Sequence, residues 1–282
     1  MPVRRWVAIL AIVAVALTGC DNAEEREAAL KKELYKAVEA VPGLEEYHVR
    51  TRASGDGFAV DAEVRLAPAA GQAAAGAKLV RAALTGSDEV RSVSLTLVLR
   101  RGAAEHDGRW YDGTAARPEF DRQADLWGRT VDSGSYRRVL AMMQSTQRFK
   151  VAAQGWTGDA ASRPSAARAY RDLVAAGVAA GLRIEDLDLS AAPTDRVEAG
   201  SDGGAALPDA VLAAGEQVAK LDGVGRVTIT GRSTAPAARM RIYPVKPLSD
   251  GQRGQIRDTL RRAGLLGPGL EVIEGGGEGR PI

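Results

Sequence analysis

Few side chains in this sequence are of the kinds that do chemistry: it has one cysteine and two histidines among 282 residues. His106 stands in Glu105-His106-Asp107, with Asp112 close behind, a set of oxygen and imidazole donors that could hold a divalent cation. No spacing there fixes a ligand geometry, so the stretch reads as a solvated loop. His48 alternates with Tyr47 and Val49 on the polar side of an expected strand, where an imidazole needs no partner. Gly231-Arg232-Ser233-Thr234-Ala235 approaches the Gly-x-Ser-x-Gly turn that exposes a serine nucleophile. That turn must lead from a strand into a helix, whereas the pattern here expects a hairpin. The glycines at 55 and 57, 203 and 204, and 275–277 do not form a phosphate loop with its lysine. Two carboxylates about 5–10 Å apart in a cleft would suit glycoside hydrolysis, but the sequence nominates no such pair. It predicts no catalytic residue, no metal ligand and no cofactor.

The cysteine is different, because of what precedes it. Arg4 and Arg5 are followed by an apolar run from Trp6 to Leu17, twelve residues long. A helix crossing a bilayer needs roughly 20 apolar residues, so the run is short for an anchor. A basic start, a short apolar core and small residues at its end describe a secretory leader. Its last residues, Leu17-Thr18-Gly19-Cys20, resemble the lipobox of bacterial lipoproteins. The resemblance implies cleavage between Gly19 and Cys20, so that 1–19 is a signal peptide and 20–23 a lipidated N-terminus. Cys20 would carry a diacylglyceryl thioether and an acylated amino group, and two or three chains hold a protein firmly where one does not. It implies a protein tethered to the cell membrane on its extracytoplasmic face. Asp21, directly after the cysteine, resembles an inner-membrane retention signal in organisms with two membranes.

Charge narrows the partners. Of 38 basic side chains, Arg4 and Arg5 precede the cleavage point, which leaves 36 against 36 acidic ones. No basic surplus is present to displace counterions, so nucleic acid is excluded as a partner. With its only thiol acylated, the mature chain has no disulfide to form.

Behind these residues stands a repeated pattern. Leu30, Leu34, Ala37, Val38 and Val41 fall at helical spacing until Pro42-Gly43 stops them. Tyr47, Val49 and Thr51 alternate with polar residues, Gly55-Asp56-Gly57 turns the chain, and Phe58 to Leu66 alternates cleanly. A helix over about 71–84 and a strand through Val93, Leu95, Leu97 and Leu99 complete an αββαβ unit. The same unit returns over 205–274, where Leu221-Asp222-Gly223-Val224 lies opposite Val41-Pro42-Gly43-Leu44 without a gap. Met143 to Val151 matches that helix-to-strand junction again, and from it we expect an abbreviated module over 133–193 lacking one hairpin strand. The Gly-, Asp-, Ser- and Arg-rich stretches 102–132 and 194–204 read as a connector and a linker, and 275–282 as a flexible tail. The expected fold class is α+β, with helices on one face of small mixed sheets. The order of elements resembles the BON domain of bacterial envelope proteins, which implies binding of lipids or protein partners. Copies of this length exclude a solenoid with a period near 40.

Trp110, Tyr111 and Trp127 stand out because aromatics are scarce and these fall in the expected connector. They either pin it against a neighbouring module or anchor a partner. Met142 and Met143 read as core filling. Together these features predict a non-enzymatic binding or scaffold lipoprotein whose partner is an envelope protein or the cell wall. The alternatives are a wall-acting hydrolase with a carboxylate pair and a lipoprotein that binds a small ligand.

Overall fold

The computed structural model describes residues 22–112, 117–145, 148–203, 205, 207–234, 236–267, 269–275 and 280–281. The expected leader, Gly19 and Cys20 lie outside the described residues.

A helix over 22–39 (α1) leads into β1 (Leu44–Ser54) and β2 (Gly57–Leu66), then α2 (Ala73–Leu84), β3 (Val90–Arg101) and β4 (Ala104–Asp112). The chain continues through α3 (Arg117–Asp132), β5 (Tyr136–Ser145), β6 (Arg148–Trp156), α4 (Ala166–Ala179), β7 (Leu187–Ala192) and β8 (Val197–Ser201). It ends with α5 (Asp209–Val218), β9 (Val224–Gly231), β10 (Ala238–Pro244), α6 (Asp250–Arg262), β11 (Leu270–Glu274) and β12 (Arg280–Pro281). The class is α+β, as expected.

Among the described residues the twelve strands join one sheet in sequence order. Hairpin partners such as β1–β2, β3–β4 and β5–β6 run antiparallel, and strands joined across a helix, such as β2–β3 and β4–β5, run parallel. The unit that recurs is a helix followed by a hairpin. Its hairpins begin at residues 44, 90, 136, 187, 224 and 270, steps of 46, 46, 51, 37 and 46. The expected exclusion of a repeat near forty residues is therefore corrected. A long-copy comparison spans two of these steps and hides the shorter interval.

Two further expectations are corrected by the same architecture. The 102–132 stretch is a strand and a helix, not a connector, and 194–204 contains β8. Glycine and charge misled there, because β4 needs small and polar residues for reasons given below. The middle region also lacks no strand. Met143 to Val151, taken as a helix-to-strand junction, is a hairpin in which Met143 pairs with Phe149 and Ala141 with Val151. By contrast, within the matched stretches 41–49 and 221–229 the helix stops at 41–44 and 221–224 make the same backbone hydrogen bonds. Gly43 and Gly223 take φ of 78° and 82°, and their carbonyls accept from the amides of Ala67 and Val245 at 2.8 and 2.9 Å. Only glycine adopts that left-handed conformation without strain, which is why both helices stop there.

Strands advancing in one direction with crossovers of one hand put every helix on the same side. Successive helices pack on one another, and alternate strand residues are buried beneath them. Val60, Ala62, Val64, Leu95, Leu97, Leu99, Val139, Val151, Leu189, Ile229 and Ile242 all face that layer. At its centre Trp110 packs on Phe120, Trp127 and Phe149 with ring centroids 5.2, 5.7 and 6.3 Å apart. Alanine and glycine let the helices approach: a Cβ at Gly128 of α3 would stand 2.5 Å from the Ala74 nitrogen of α2.

Candidate binding face

With the helices on one side, the residues that alternate with the core form the opposite face of the sheet. At about 4.8 Å per strand, twelve strands extend it to roughly 50 Å. Hairpin registers decide which side chains share it. Arg50 lies beside Asp61, Ser94 beside Tyr111, Thr96 beside Arg109 and Asp107 beside Leu140. Further along, Lys150 lies beside Asp188, Glu198 beside Thr228 and Arg239 beside Glu271.

Cross-strand ion pairs tile much of this surface. Arg65 donates to Glu46 at 2.7 Å, Arg138 to Asp107 at 3.0 Å and Arg239 to Glu271 at 2.5 Å, and Arg226 pairs with Glu198. Exposed pairs of this kind contribute about 0–1 kcal/mol each. They leave the face polar and internally neutralised, in keeping with a chain of no charge surplus.

The middle of the face differs. A shallow cavity of about 310 Å³ has Leu140, Met142 and Ala152 in its floor, and Arg109, Arg138 and Lys150 among the residues around them. An apolar centre inside a charged rim is the arrangement of a protein interface. Beyond it, a second cavity of about 610 Å³ runs over β1 to β4, lined by Arg50, Arg52, Asp61, Ser92, Ser94 and Tyr111. Arg52 has no ion pair among the described residues, while Arg50 donates to His48 Nε2 at 2.8 Å. Tyr111 is 50% exposed at its edge.

The aromatic candidates therefore separate. Trp110 and Trp127 are 2% and 0% exposed, so they are core, and a role as partner anchors is corrected for both. Strand alternation turns Tyr111, next to Trp110, outward. Met143 is buried as expected, whereas Met142 faces the open side, half-buried. The expectation that Met142 fills the core is thus corrected, because the stretch before Met143 is a strand, which turns Leu140 and Met142 to the open face.

The histidines also separate. His48 is exposed on β1 as expected. His106 is not in a solvated loop but buried on β4, where its Nδ1 accepts from the Val139 amide of β5 at 3.1 Å. Burial, then the nearby Arg101 charge, holds its pKa below the usual imidazole value against the opposing pull of Asp107 and Asp132. Among the described residues no cluster of three or more His, Cys, Asp or Glu side chains is placed to hold a metal. Gly231 closes β9 and the chain turns back into β10, so Ser233 lies in a hairpin, as the pattern predicted.

Carboxylates of the kind a hydrolase would need meet in a third cavity of about 260 Å³, lined by Asp188, Glu198 and Asp202 with Lys150. Two of the three are committed elsewhere. Asp188 accepts from the Gly203 amide at 2.6 Å, and Glu198 is held by Arg226. Among the described residues no helix is long and apolar enough to cross a membrane.

No family model matches the chain, and no curated protein matches it. Among solved structures, variants of MamM CTD are similar over a small part. A zinc form is 24% identical, covers 26% of this chain and 86% of that one, and has a TM-score of 0.23. Another variant is 26% identical over 26% of this chain and 96% of that one, with a TM-score of 0.24. A likeness of that extent bears on neither the fold nor the function of this chain.

Proposed function

We propose that this chain is a lipid-anchored protein on the extracytoplasmic face of the cell membrane that binds an envelope protein through its open sheet face and catalyses no reaction. The observation that carries the binding reading is the one-sided sheet, with half-buried Leu140 and Met142 and, beneath them, Ala152 lining the middle of a charged face. A sheet with one dry face ordinarily leaves the other solvated, and an apolar centre there loses water when a partner covers it. The cell wall is the alternative partner. The tether rests on Leu17-Thr18-Gly19-Cys20 and the leader before it. The described part of α1 starts at residue 22, and its Arg26 bonds to Glu89 and to the carbonyl of Asp56. A lipid on Cys20 places that end of the strands nearest the bilayer.

The finer reading, repeated αββαβ modules similar to BON domains, belongs to the same proposal. The identical backbone bonds at Gly43 and Gly223 support it, since two copies of one unit would share them.

Membrane fractionation with mass spectrometry of the mature N-terminus tests the tether. The expected result is an acylated Cys20 at the start of the chain, and release of Cys20→Ala into the soluble extracytoplasmic fraction. An intact leader, or a free thiol at 20, would overturn it. Affinity capture from membranes with the anchored chain as bait tests the partner. One stoichiometric protein lost on Met142→Glu is expected, and its retention contradicts the face assigned.

A further inference from the structure

We propose that the cleft between the end of α3 and the start of α4 binds a sugar phosphate. It lies on the helix side of the sheet, beside the first residue of β5 and the last of β6, so it is separate from the open face. Its volume is about 560 Å³, within the range of roughly 300–1,000 Å³ typical of small-molecule sites.

Arg129, Arg163 and Arg168 line the cleft, and none has an ion-pair partner among the described residues. Elsewhere arginines such as Arg65, Arg138 and Arg226 are matched with carboxylates, so these three leave their charge uncompensated within one cleft. Among the described residues Asp172 is the one acid lining the cleft, against three arginines. The surplus of two positive charges equals the charge of a phosphate monoester dianion, and planar guanidiniums meet phosphate oxygens with paired N–H groups.

The start of α4 does not do this work. The Arg168 amide already donates to Ser165 Oγ, and the Ala167 amide to Glu216 Oε1 at 3.2 Å. The anion must be held by side chains. Tyr136 and Trp156 supply a wall for the organic part, their rings 6.1 Å apart and edge to face. Burial and the Asp172 charge push the Tyr136 phenol up to about 12, so it stays neutral beside an anion. The Trp156 Nε1 is covered by Gly158, so it is the aromatic surface that the cleft offers to a sugar ring. The assignment does not depend on the lipid tether or on the open face.

Isothermal titration of the full chain with ribose 5-phosphate, inorganic phosphate and ribose, at constant ionic strength in chloride, tests it. We expect saturable binding of ribose 5-phosphate, weaker binding of phosphate, and at least a tenfold loss in the Arg163→Gln/Arg168→Gln double variant. Both residues are exposed, so thermal unfolding of that variant should match the parent. Equal affinity for phosphate and ribose 5-phosphate would overturn the sugar. Absence of saturable binding, or binding unchanged in the double variant, would overturn the site.

Discussion

The indole of Trp110 occupies the space in which Gly108 would carry a side chain. A Cβ at 108 would stand 2.3 Å from its Cη2, two residues away on the same side of β4. The glycine that makes this stretch look like a loop is what lets the largest core side chain lie against the sheet. Gly108→Ala should therefore destabilise the fold by about 1–3 kcal/mol through overpacking. Gly254→Ala, in α6 with nothing within 4 Å of the new methyl, should stabilise by up to about 1 kcal/mol. Urea unfolding of the two variants checks both signs.

His106 makes stability depend on acid. Its folded-state pKa lies below the ordinary imidazole value of about 6.5, so below that pH the unfolded chain takes up a proton the folded chain refuses. Stability should be complete above about pH 6.5 and fall as the pH drops toward the folded value. Urea midpoints measured at successive pH values should show this slope, and His106→Asn should flatten it.

Asp132 ties three elements together at one end of the sheet. It pairs with Arg101 of β3 and accepts from the Ala73 amide at the start of α2, at 3.2 Å. Asp132→Ala would leave the buried Ala73 amide without this acceptor and Arg101 with only the carbonyls of Ala69 and Val131, which should cost about 1–3 kcal/mol. Asp132→Asn, which can still accept from Ala73, should cost less. Thermal unfolding ranks the two.

Alternation made β1, β2 and β3 legible in the sequence, and the helix expected over about 71–84 is α2 within a few residues. β4 and α3 were missed because their signals conflict with their burial. His106, Gly108, Gln123 and Thr130 are polar or small yet lie in the interior, sheltering an aromatic cluster assembled from β4, α3 and β6. Only tertiary packing states that requirement. The open face was hidden for a related reason: Leu140 and Met142 acquire a side only once β5 is known to be a strand. Tyr111 was legible as an unusual residue, but its outward orientation follows from the inward one of Trp110.

The electrostatics of the face predict a weak response to salt. Since its ion pairs are mutual, partner capture should fall less than tenfold between 50 and 300 mM salt. A steep fall would mean that the unpaired Arg52, Arg109 and Lys150, not the apolar centre, hold the partner. Quantitative pull-downs across that range measure it.

The central claim is that the side of the sheet free of helices is the side that meets a partner. A photo-crosslinking amino acid placed at Tyr111 on that side, or at Val178 on α4 (58% exposed), tests it in native membranes. The account predicts one discrete protein adduct from position 111 and none from 178. Adducts from 178 with none from 111 would contradict it.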